Sequence, residues 1–363
     1  MTIIKPALLL RSRRLQILFL FLLMLCMFRL KEFPLFIERY YSQGLYPFIS
    51  GVLQSVSRIL PFSLGDLFYI ALIVLLIVTI VRIIRDLVLK QYRKGFRSAL
   101  SIILSVQVLL ILFYTFWGMN YFRVPAAQRL GLQDTSYTFP ELEKVTAMLI
   151  DSANHNRSLL SSNELGRQNG EIFRISAEAM GGLPRQYSAV NTALLRTKNS
   201  LFSLILNHIG TAGYYNPFTA EAQLNSEMPV YTRPFSACHE MAHQLGFNRE
   251  DEANFAGFIA GRSSSDRLLR YSSYYQAMQE FMLQVGRRDS LAFKSLKNRI
   301  NKPVLQDLKA EREYWEKYQG KAGLLSGILY DNYLKANNQP NGLRTYNRMI
   351  LLTMAWYRKY GYL

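Results

Sequence analysis

Two histidines four residues apart are the side chains best placed to do chemistry in this sequence. His239 and His243 flank Glu240 in the stretch His-Glu-Met-Ala-His. Residues i and i+4 of a helix share one face, so both imidazoles can bind one metal ion. A carboxylate beside the open metal position can take a proton from a water molecule and pass it to a leaving group. The spacing therefore predicts a zinc site with His239 and His243 as ligands and Glu240 as the general base.

The residues after this motif could supply a third ligand, because a catalytic zinc site needs three protein ligands and one open position. Gly246 is a helix stop signal, and we predict a second helix that starts at Arg249 with Asn248 as its cap. Its first turn holds the acids Glu250, Asp251 and Glu252. A helix–turn–helix could fold these acids back toward the histidines. The alternative is that they only stabilise the helix N-terminus.

The acidic helix resembles the third-ligand helix of gluzincins, which are zinc peptidases whose third ligand is a glutamate. The stretch from Glu250 to Asn254 looks like their ExxA(D/N) signature. The resemblance implies Glu250 as a zinc ligand and Asn254 as the residue that supports a ligand histidine. Glu250 follows His243 by only seven residues, which is shorter than in many gluzincins, so Glu252 remains the alternative ligand. Arg249 stands where metzincins have their third histidine, which excludes that ligand set.

Further residues could assist a peptidase site. Residues 218–231 are predicted to form an edge strand that binds an extended substrate by adding it to the sheet, with an ordinary strand as the alternative. Asn225 and Ser226 are candidate polar groups on it. The candidates for stabilising an oxyanion are Tyr231, Tyr330, Arg344 and Tyr346.

Two other reactive residue types are predicted to be structural. His208 lies in the apolar run at residues 201–209 and is predicted to be a buried core histidine. Cys238 adjoins His239 but points to another face of the helix, so we interpret it as a small buried hydrophobe.

The elements that must position the motif are predicted to be mostly helical. Helical periodicity marks residues 140–160, 266–286, 303–318, 321–336 and 343–360. Residues 181–232 are rich in Gly, Pro, Tyr and Asn and favour short strands. We therefore expect an α+β zincin-like domain over residues 123–363, mostly α, with a small sheet just before the central motif.

The first third of the chain is predicted to be a membrane domain, residues 1–122. Apolar runs at about residues 15–30, 67–84 and 98–120 predict three transmembrane helices. Basic residues precede the first run and fill the loop before the third, so the positive-inside rule predicts a cytoplasmic N-terminus and an extracytoplasmic C-terminal domain. The expected location is the cell (inner) membrane, as a multi-pass protein.

Charge is consistent with this arrangement. The chain has 363 residues and a net charge of +18, a surplus that suits an anionic bilayer or nucleic acid. The sequence contains no nucleic-acid module, because paired CxxC motifs, an aromatic–basic RNA signature and a basic heptad region are all missing. The predicted partners are the lipid bilayer and a peptide or protein substrate outside the cytoplasm, and no nucleic acid.

The wider chain is similar to the family called domain of unknown function 3810. The similarity lies in the stretches PFSLGD at residues 61–66, YNPFT at 215–219, the central motif with EDEANF, and YDNYLK at 330–335. It covers most of residues 35–355 and implies the architecture more than the activity. The predicted function is that of a membrane-anchored zinc metallopeptidase. The alternatives are a catalytically inactive zinc-binding scaffold or an envelope assembly protein.

Overall fold

The computed structural model describes residues 6–132, 136–184, 187–342 and 349–363. It is mostly helical with one small sheet, as the sequence predicts. The helices in the first third of the chain are α1 (Pro6–Arg29), α2 (Pro34–Phe36), α3 (Tyr46–Ser57), α4 (Leu64–Val88) and α5 (Tyr92–Phe116). The helices that follow up to the sheet are α6 (Ala126–Arg129), α7 (Phe139–Ser158), α8 (Ser162–Leu165) and α9 (Asn169–Gly181).

The strands and the remaining helices complete the fold. The strands are β1 (Thr197–Asn199), β2 (Gly213–Asn216) and β3 (Glu221–Leu224), with the short helix α10 (Ser203–His208) between the first two. The later helices are α11 (Arg233–Gln244), α12 (Glu250–Arg262), α13 (Arg267–Arg288), α14 (Ser290–Lys297), α15 (Lys302–Glu316), α16 (Lys321–Ala336) and α17 (Met349–Tyr360). A π-helical segment, Ile37–Leu45, joins α2 to α3, and 3₁₀ turns lie at Leu30–Glu32, Gly118–Phe122 and Thr192–Leu194.

Two helices in the described part of the chain are long and apolar enough to cross a bilayer. They are α4 and α5, each with 25 residues. A tight connection joins them, so α4 starts and α5 ends at the same side of the hairpin that they form. The first apolar run is also helical, within α1. The two candidate spans support the prediction that this chain is a membrane protein.

The helix formed by the third apolar run ends earlier than the sequence predicts. The prediction extended this span to residue 120, whereas α5 ends at Phe116 and a 3₁₀ turn follows. Gly118 packs so closely on Phe113 that a Cβ at this glycine would lie 2.5 Å from the ring. Trp117 and Tyr121 are buried in the main core. The last apolar residues of the run are therefore core residues and not lipid-facing ones.

The part of the chain after residue 122 forms a helical core in which α7 packs against α13, and α11 packs against α9 and α12. The predicted helix at 140–160 corresponds to α7, and those at 266–286, 303–318 and 321–336 correspond to α13, α15 and α16. The last predicted helix is present as α17, and residues 343–348 at its predicted start lie outside the described residues.

The sheet has three strands in the order β1-β3-β2. β1 pairs parallel with β3, and β2 pairs antiparallel with it, with Tyr214 opposite Gln223. All three strands fall within residues 181–232, as predicted. However, the strand found inside residues 218–231 is β3, which pairs on both sides. The predicted edge strand is thus wrong in its position, since β2 is the edge strand on this side of the sheet.

A buried polar cluster fixes the sheet to the start of α4. The Lys198 ammonium lies 2.5 Å from the Glu221 carboxylate, and both side chains are almost fully buried. Glu221 also accepts a hydrogen bond from the backbone of Gly65 at 2.6 Å. Asp66 accepts hydrogen bonds from the Tyr214 hydroxyl and from the backbone of Leu201. The stretch PFSLGD is therefore the joint between the first candidate span and the sheet.

Candidate metal centre

Helix α11 carries the motif and is buried along its whole length. Pro234 stands in its first turn, where a missing N–H costs nothing. His239, Glu240 and His243 are each at most 8% exposed, and their ligand atoms lie within 4.8 Å of one another. Buried polar side chains of this kind need partners, so their contacts define what the site can do.

The end of α11 orients His243. Gly246 has a φ of +83°, and the backbone N–H groups of Gly246 and Phe247 return to the carbonyls of His243 and Ala242 at 3.0 Å each. This is a Schellman turn, which the glycine allows. The turn brings the Phe247 carbonyl to within 2.6 Å of His243 Nδ1. Because a carbonyl only accepts hydrogen bonds, Nδ1 carries the proton and Nε2 presents its lone pair in the neutral imidazole.

Helix α12 orients His239. Asn254 Oδ1 lies 2.7 Å from His239 Nδ1, which places the proton on Nδ1 here too. The helices approach closely at Gly257, where a Cβ would lie 3.3 Å from the backbone nitrogen of His239. Glycine at this position allows the two helices to pack near enough for the Asn254 contact.

Glu250 completes a set of three converging atoms. Its Oε2 lies 3.2 Å from His239 Nε2 and 3.7 Å from His243 Nε2. Zinc–ligand bonds of 2.0–2.1 Å in a tetrahedron put neighbouring ligand atoms about 3.3 Å apart. Both distances from Glu250 Oε2 are close to this spacing. With both imidazole protons on Nδ1, this oxygen faces two lone pairs, and a cation among the three atoms would satisfy all of them.

Glu252 and Asp251 point elsewhere. Glu252 accepts a hydrogen bond from the backbone of Ala126 at 2.8 Å and pairs with Arg129 at 3.3 Å. Asp251 pairs with Arg249. Of the three acids, the structure brings only the Glu250 carboxylate to the histidines.

The predicted cap of α12 is wrong. The helix begins at Glu250, and its N-cap residue, Arg249, makes no side-chain capping bond. Asn248 instead donates to the Trp117 carbonyl at 3.1 Å. The backbone N–H of Glu250 is bound by the Gln339 side chain at 3.2 Å, so a distant amide takes the role expected of a local cap.

The pKa values of the two buried carboxylates at the site are shifted in opposite directions. Burial raises the pKa of Glu240 to about 8, the charge of Glu250 adds to the rise, and His239 opposes it. Burial would also raise the pKa of Glu250, but the positive charge that His243 and His239 carry when protonated outweighs burial and lowers that pKa well below its usual value. A cation bound between neutral imidazoles would act in the same direction. Glu250 is thus the carboxylate that stays ionised beside the imidazoles.

Tyr330 is the oxyanion candidate that lies at the site. Its hydroxyl donates to Glu250 Oε1 at 2.8 Å. The Tyr231 hydroxyl donates to the Asp307 carbonyl instead, within a separate buried cluster. Arg344 and Tyr346 lie outside the described residues.

The other assisting residues lie away from the histidines. Asn225 binds Asn207, and Ser226 binds Ser203, both on the α10 side of the sheet. His208 is exposed at the end of α10, so the prediction of a buried core histidine is wrong. Cys238 is fully buried, as predicted.

The edge strand beside the motif is β2. A Cβ at Gly213 would lie 2.6 Å from the Gln223 carbonyl and 3.0 Å from Glu240 Oε1. The Asn225 N–H donates to the Ala212 carbonyl. Along an antiparallel pair, the backbone N–H and C=O groups of successive residues alternately face the partner strand and face away from it. The backbone groups of Gly213 and Tyr215 therefore face the open side, where no strand of the described chain pairs with them.

Three side chains from residues 46–123 hold the last turn of α11 and the residues just after it. Its terminal carbonyls lack helical partners. Trp117 Nε1 donates to the His243 carbonyl at 3.0 Å, and the Tyr46 hydroxyl donates to the Gln244 carbonyl at 2.8 Å. Arg123 donates to the Gly246 carbonyl at 3.1 Å while it pairs with buried Glu38. Sequence reasoning missed Tyr46, Trp117 and Arg123, because ordinary aromatic and basic residues carry no motif.

Two wide clefts of the described surface lie away from the motif. One of about 680 Å³ is lined by residues that include Arg58, Arg174 and Arg196, and one of about 800 Å³ by residues that include Arg262 and Trp356. Neither is lined by the residues of the motif. We place the candidate site at the histidines because donor atoms converge there, although the site is closed in this conformation.

Comparison with known proteins identifies the family. The model of the family described as "Protein of unknown function (DUF3810)" matches residues 41–354, which is most of the chain. The chain belongs to the DUF3810 family. This confirms the resemblance seen in the sequence, and the DUF3810 match spans both α4–α5 and the candidate metal centre. No curated protein and no solved structure matches the chain.

Proposed function

We propose that this protein is a membrane-anchored zinc metallopeptidase. The observation that carries the proposal is the convergence of His239 Nε2, His243 Nε2 and Glu250 Oε2, with each Nδ1 held by its own acceptor. These three residues would hold Zn²⁺, and Asn254 would fix the ring of His239. A buried carboxylate between two imidazoles is costly unless it is paired, and a cation supplies that pairing.

The residues around the ligands have the groups that peptide hydrolysis needs. Bound zinc would act as a Lewis acid that polarises a water molecule and the scissile carbonyl. Glu240 would take a proton from the attacking water and give it to the amine nitrogen as the C–N bond breaks, which yields a carboxylic acid and an amine. The Tyr330 hydroxyl, which donates to Glu250 Oε1 in this conformation, would turn from that acceptor to donate to the oxyanion of the substrate.

The substrate class follows from the edge of β2 that no described strand pairs with. An extended polypeptide could pair with the outward backbone groups of Gly213 and Tyr215 and lie beside Glu240. We therefore propose a peptide or protein substrate, bound as an added strand.

We also propose a membrane topology, with a third span and an orientation, that goes beyond the two candidate spans. The apolar part of α1 would be a third span, with the N-terminus in the cytoplasm and residues 123–363 outside the cytoplasm at the inner membrane. The basic loop between α4 and α5 supports this orientation. Reporter fusions that are active only outside the cytoplasm, placed after residue 90 and after residue 363, test it: only the second fusion should be active.

Metal content and hydrolysis test the function. The full chain purified in nanodiscs should contain one equivalent of zinc, and His239→Ala should lose it. Glu240→Gln should keep zinc and lose hydrolysis of a peptide library, whereas Glu178→Gln, at an exposed carboxylate on α9, should keep both. Wild-type protein without stoichiometric metal would refute the proposal.

An inactive zinc-binding scaffold is the second candidate, and one observation favours it. Glu240 is almost fully buried, and Tyr330 covers Glu250, so substrate has no open path in this conformation. The scaffold is supported if Glu240→Gln cells and wild-type cells show the same phenotype while His239→Ala cells differ from both.

A further inference from the structure

Helix α16 exposes its apolar face. Leu324, Leu325, Ile328 and Leu329 are between 59% and 73% exposed, and their i, i+1, i+4, i+5 spacing puts them on one side of the helix. The opposite side carries Tyr330 and Tyr333, which contact the rest of the protein. A helix on a water-facing surface has the reverse arrangement.

A second exposed apolar group lies next to α16. Leu201, Leu204 and Ile205 at α10 are 55–61% exposed. A Cβ at Gly323 would lie 3.3 Å from the His208 carbonyl at the end of α10, and the His208 ring packs edge-on against Tyr318. The two segments are therefore adjacent, and we call their exposed apolar side chains together the α10–α16 surface: Leu201, Leu204, Ile205, Leu324, Leu325, Ile328 and Leu329.

The α10–α16 surface lies at the ends of both candidate spans. At its α10 side, the Leu201 N–H binds Asp66 in the first turn of α4 at 2.6 Å. At its other side, the ring of Tyr333 lies 6.3 Å from that of Phe113 near the end of α5. The Tyr114 hydroxyl also donates to Asn337, just after α16, at 3.0 Å. Because α4 starts and α5 ends at the same side of their hairpin, α16 runs along that face of the membrane.

We propose that the α10–α16 surface is embedded in the lipid leaflet from which α4 and α5 emerge. Its continuity with two candidate spans identifies the occupant as lipid rather than a soluble partner, since these apolar residues would otherwise form a large exposed patch. Exposed Lys321 begins α16, and exposed Lys317 follows the end of α15. Their heads can reach lipid phosphates while the stems stay in the apolar layer.

This lipid contact also determines how the candidate metal centre is covered. Tyr330 lies on the same helix and donates to Glu250, so lipid that binds the outer face of α16 holds the roof of the site in place. This second step rests on the proposed function, whereas the lipid contact does not. A site roofed by an interfacial helix would receive substrate at the membrane surface.

Depth-resolved quenching tests the lipid contact. Cys26→Ser leaves only fully buried Cys238 as a native thiol, and single fluorophores are attached to Ile328→Cys or Leu204→Cys in the full chain. The control is Leu291→Cys on α14, a leucine that is 74% exposed on a helix that packs mainly against α13 and α7. Val108→Cys within α5 reports the bilayer interior. Nanodiscs with one protein each are made with phospholipids brominated near the carbonyl end or near the methyl end of the acyl chain.

The expected result is a loss of fluorescence at positions 328 and 204 with bromine near the carbonyl end and no loss at position 291. Position 108 should be quenched most by bromine near the methyl end. If the 328 and 204 labels stay as bright as the 291 label and are quenched by aqueous iodide, the surface faces water and the proposal is overturned. Protection from both quenchers would mean that protein covers the surface, which also overturns it. None of these readings depends on metal or hydrolysis, so failure here and failure of the peptidase proposal are distinguishable.

Discussion

The two imidazoles of the candidate site are held by different kinds of acceptor, and only one can be changed by mutation. Asn254 holds His239, so Asn254→Ala should lower zinc affinity by about 10–100-fold, because a ligand histidine without its supporting acceptor is less well oriented. Asn254→Asp should largely restore affinity, since a carboxylate oxygen also accepts from Nδ1. Competition with a fluorescent zinc chelator measures both variants. Equal affinity for Asn254→Ala and wild type would remove Asn254 from the site.

Glu250 and Glu252 form a matched pair on one helix. Glu250→Gln should lose most zinc binding, because an amide oxygen is a poorer ligand than a carboxylate. Glu252→Gln should keep zinc but lower the free energy of unfolding by about 1–3 kcal/mol, because Arg129 and the Ala126 N–H lose a charged acceptor. Metal analysis and thermal unfolding of both variants check this. Zinc loss in Glu252→Gln with retention in Glu250→Gln would reverse the assignment.

Side-chain spacing was enough to identify His239, Glu240, His243 and Gly246 from the sequence, since all four lie on one helix and its stop. The partner of His243 was missed because the Phe247 carbonyl is a backbone group, which any residue provides. The Gln339 contact joins residues 89 positions apart, and no local pattern encodes it. The sequence therefore predicts which side chains meet within one helix or turn, and it does not predict contacts between elements that lie far apart in the chain.

At the scale of elements, the joint between the sheet and α4 depends on the buried pair of Lys198 and Glu221. Lys198→Met should destabilise the protein by about 3–5 kcal/mol, because the Glu221 carboxylate would stay buried without its cation. Lys309→Met is the control, since Lys309 pairs with Glu313 on an exposed face of α15 and such pairs contribute less than about 1 kcal/mol. Thermal unfolding in nanodiscs measures both. A similar small loss in the two variants would contradict the role given to the joint.

Helical periodicity predicts α7, α13, α15 and α16, because apolar and polar side chains lie on different faces of each helix. The prediction of a buried histidine in the apolar run at residues 201–209 failed, because His208 is exposed, as are Leu201, Leu204 and Ile205. Apolar spacing records which residues avoid water, and it does not distinguish a protein core from lipid. The early end of α5 was missed for a related reason, since Trp117 and Tyr121 are as apolar as the span before them but pack into the soluble half.

At the scale of the whole molecule, the candidate metal centre depends on both halves of the chain. The last turn of α11 is held by Tyr46 and Trp117, both before residue 123, and the sheet beside it is fixed to α4 through Asp66. Helix α1 differs, because its main contact is with α5 and none of its described side chains lies at the motif. The boundary at residue 122 that hydropathy predicts thus separates apolar from polar sequence, although the packing continues across it.

This dependence predicts that the polar half does not fold alone. A fragment of residues 123–363 should aggregate or lack a cooperative unfolding transition, because the carbonyls of His243 and Gln244 and the buried partners of Asp66 and Glu38 would lose their hydrogen bonds. A chain that lacks only residues 1–30 should keep the transition when reconstituted with lipid. Circular dichroism during heating compares the two. A soluble fragment that melts cooperatively and binds one zinc would show that the membrane half is only an anchor and that the contacts of Tyr46 and Trp117 contribute little.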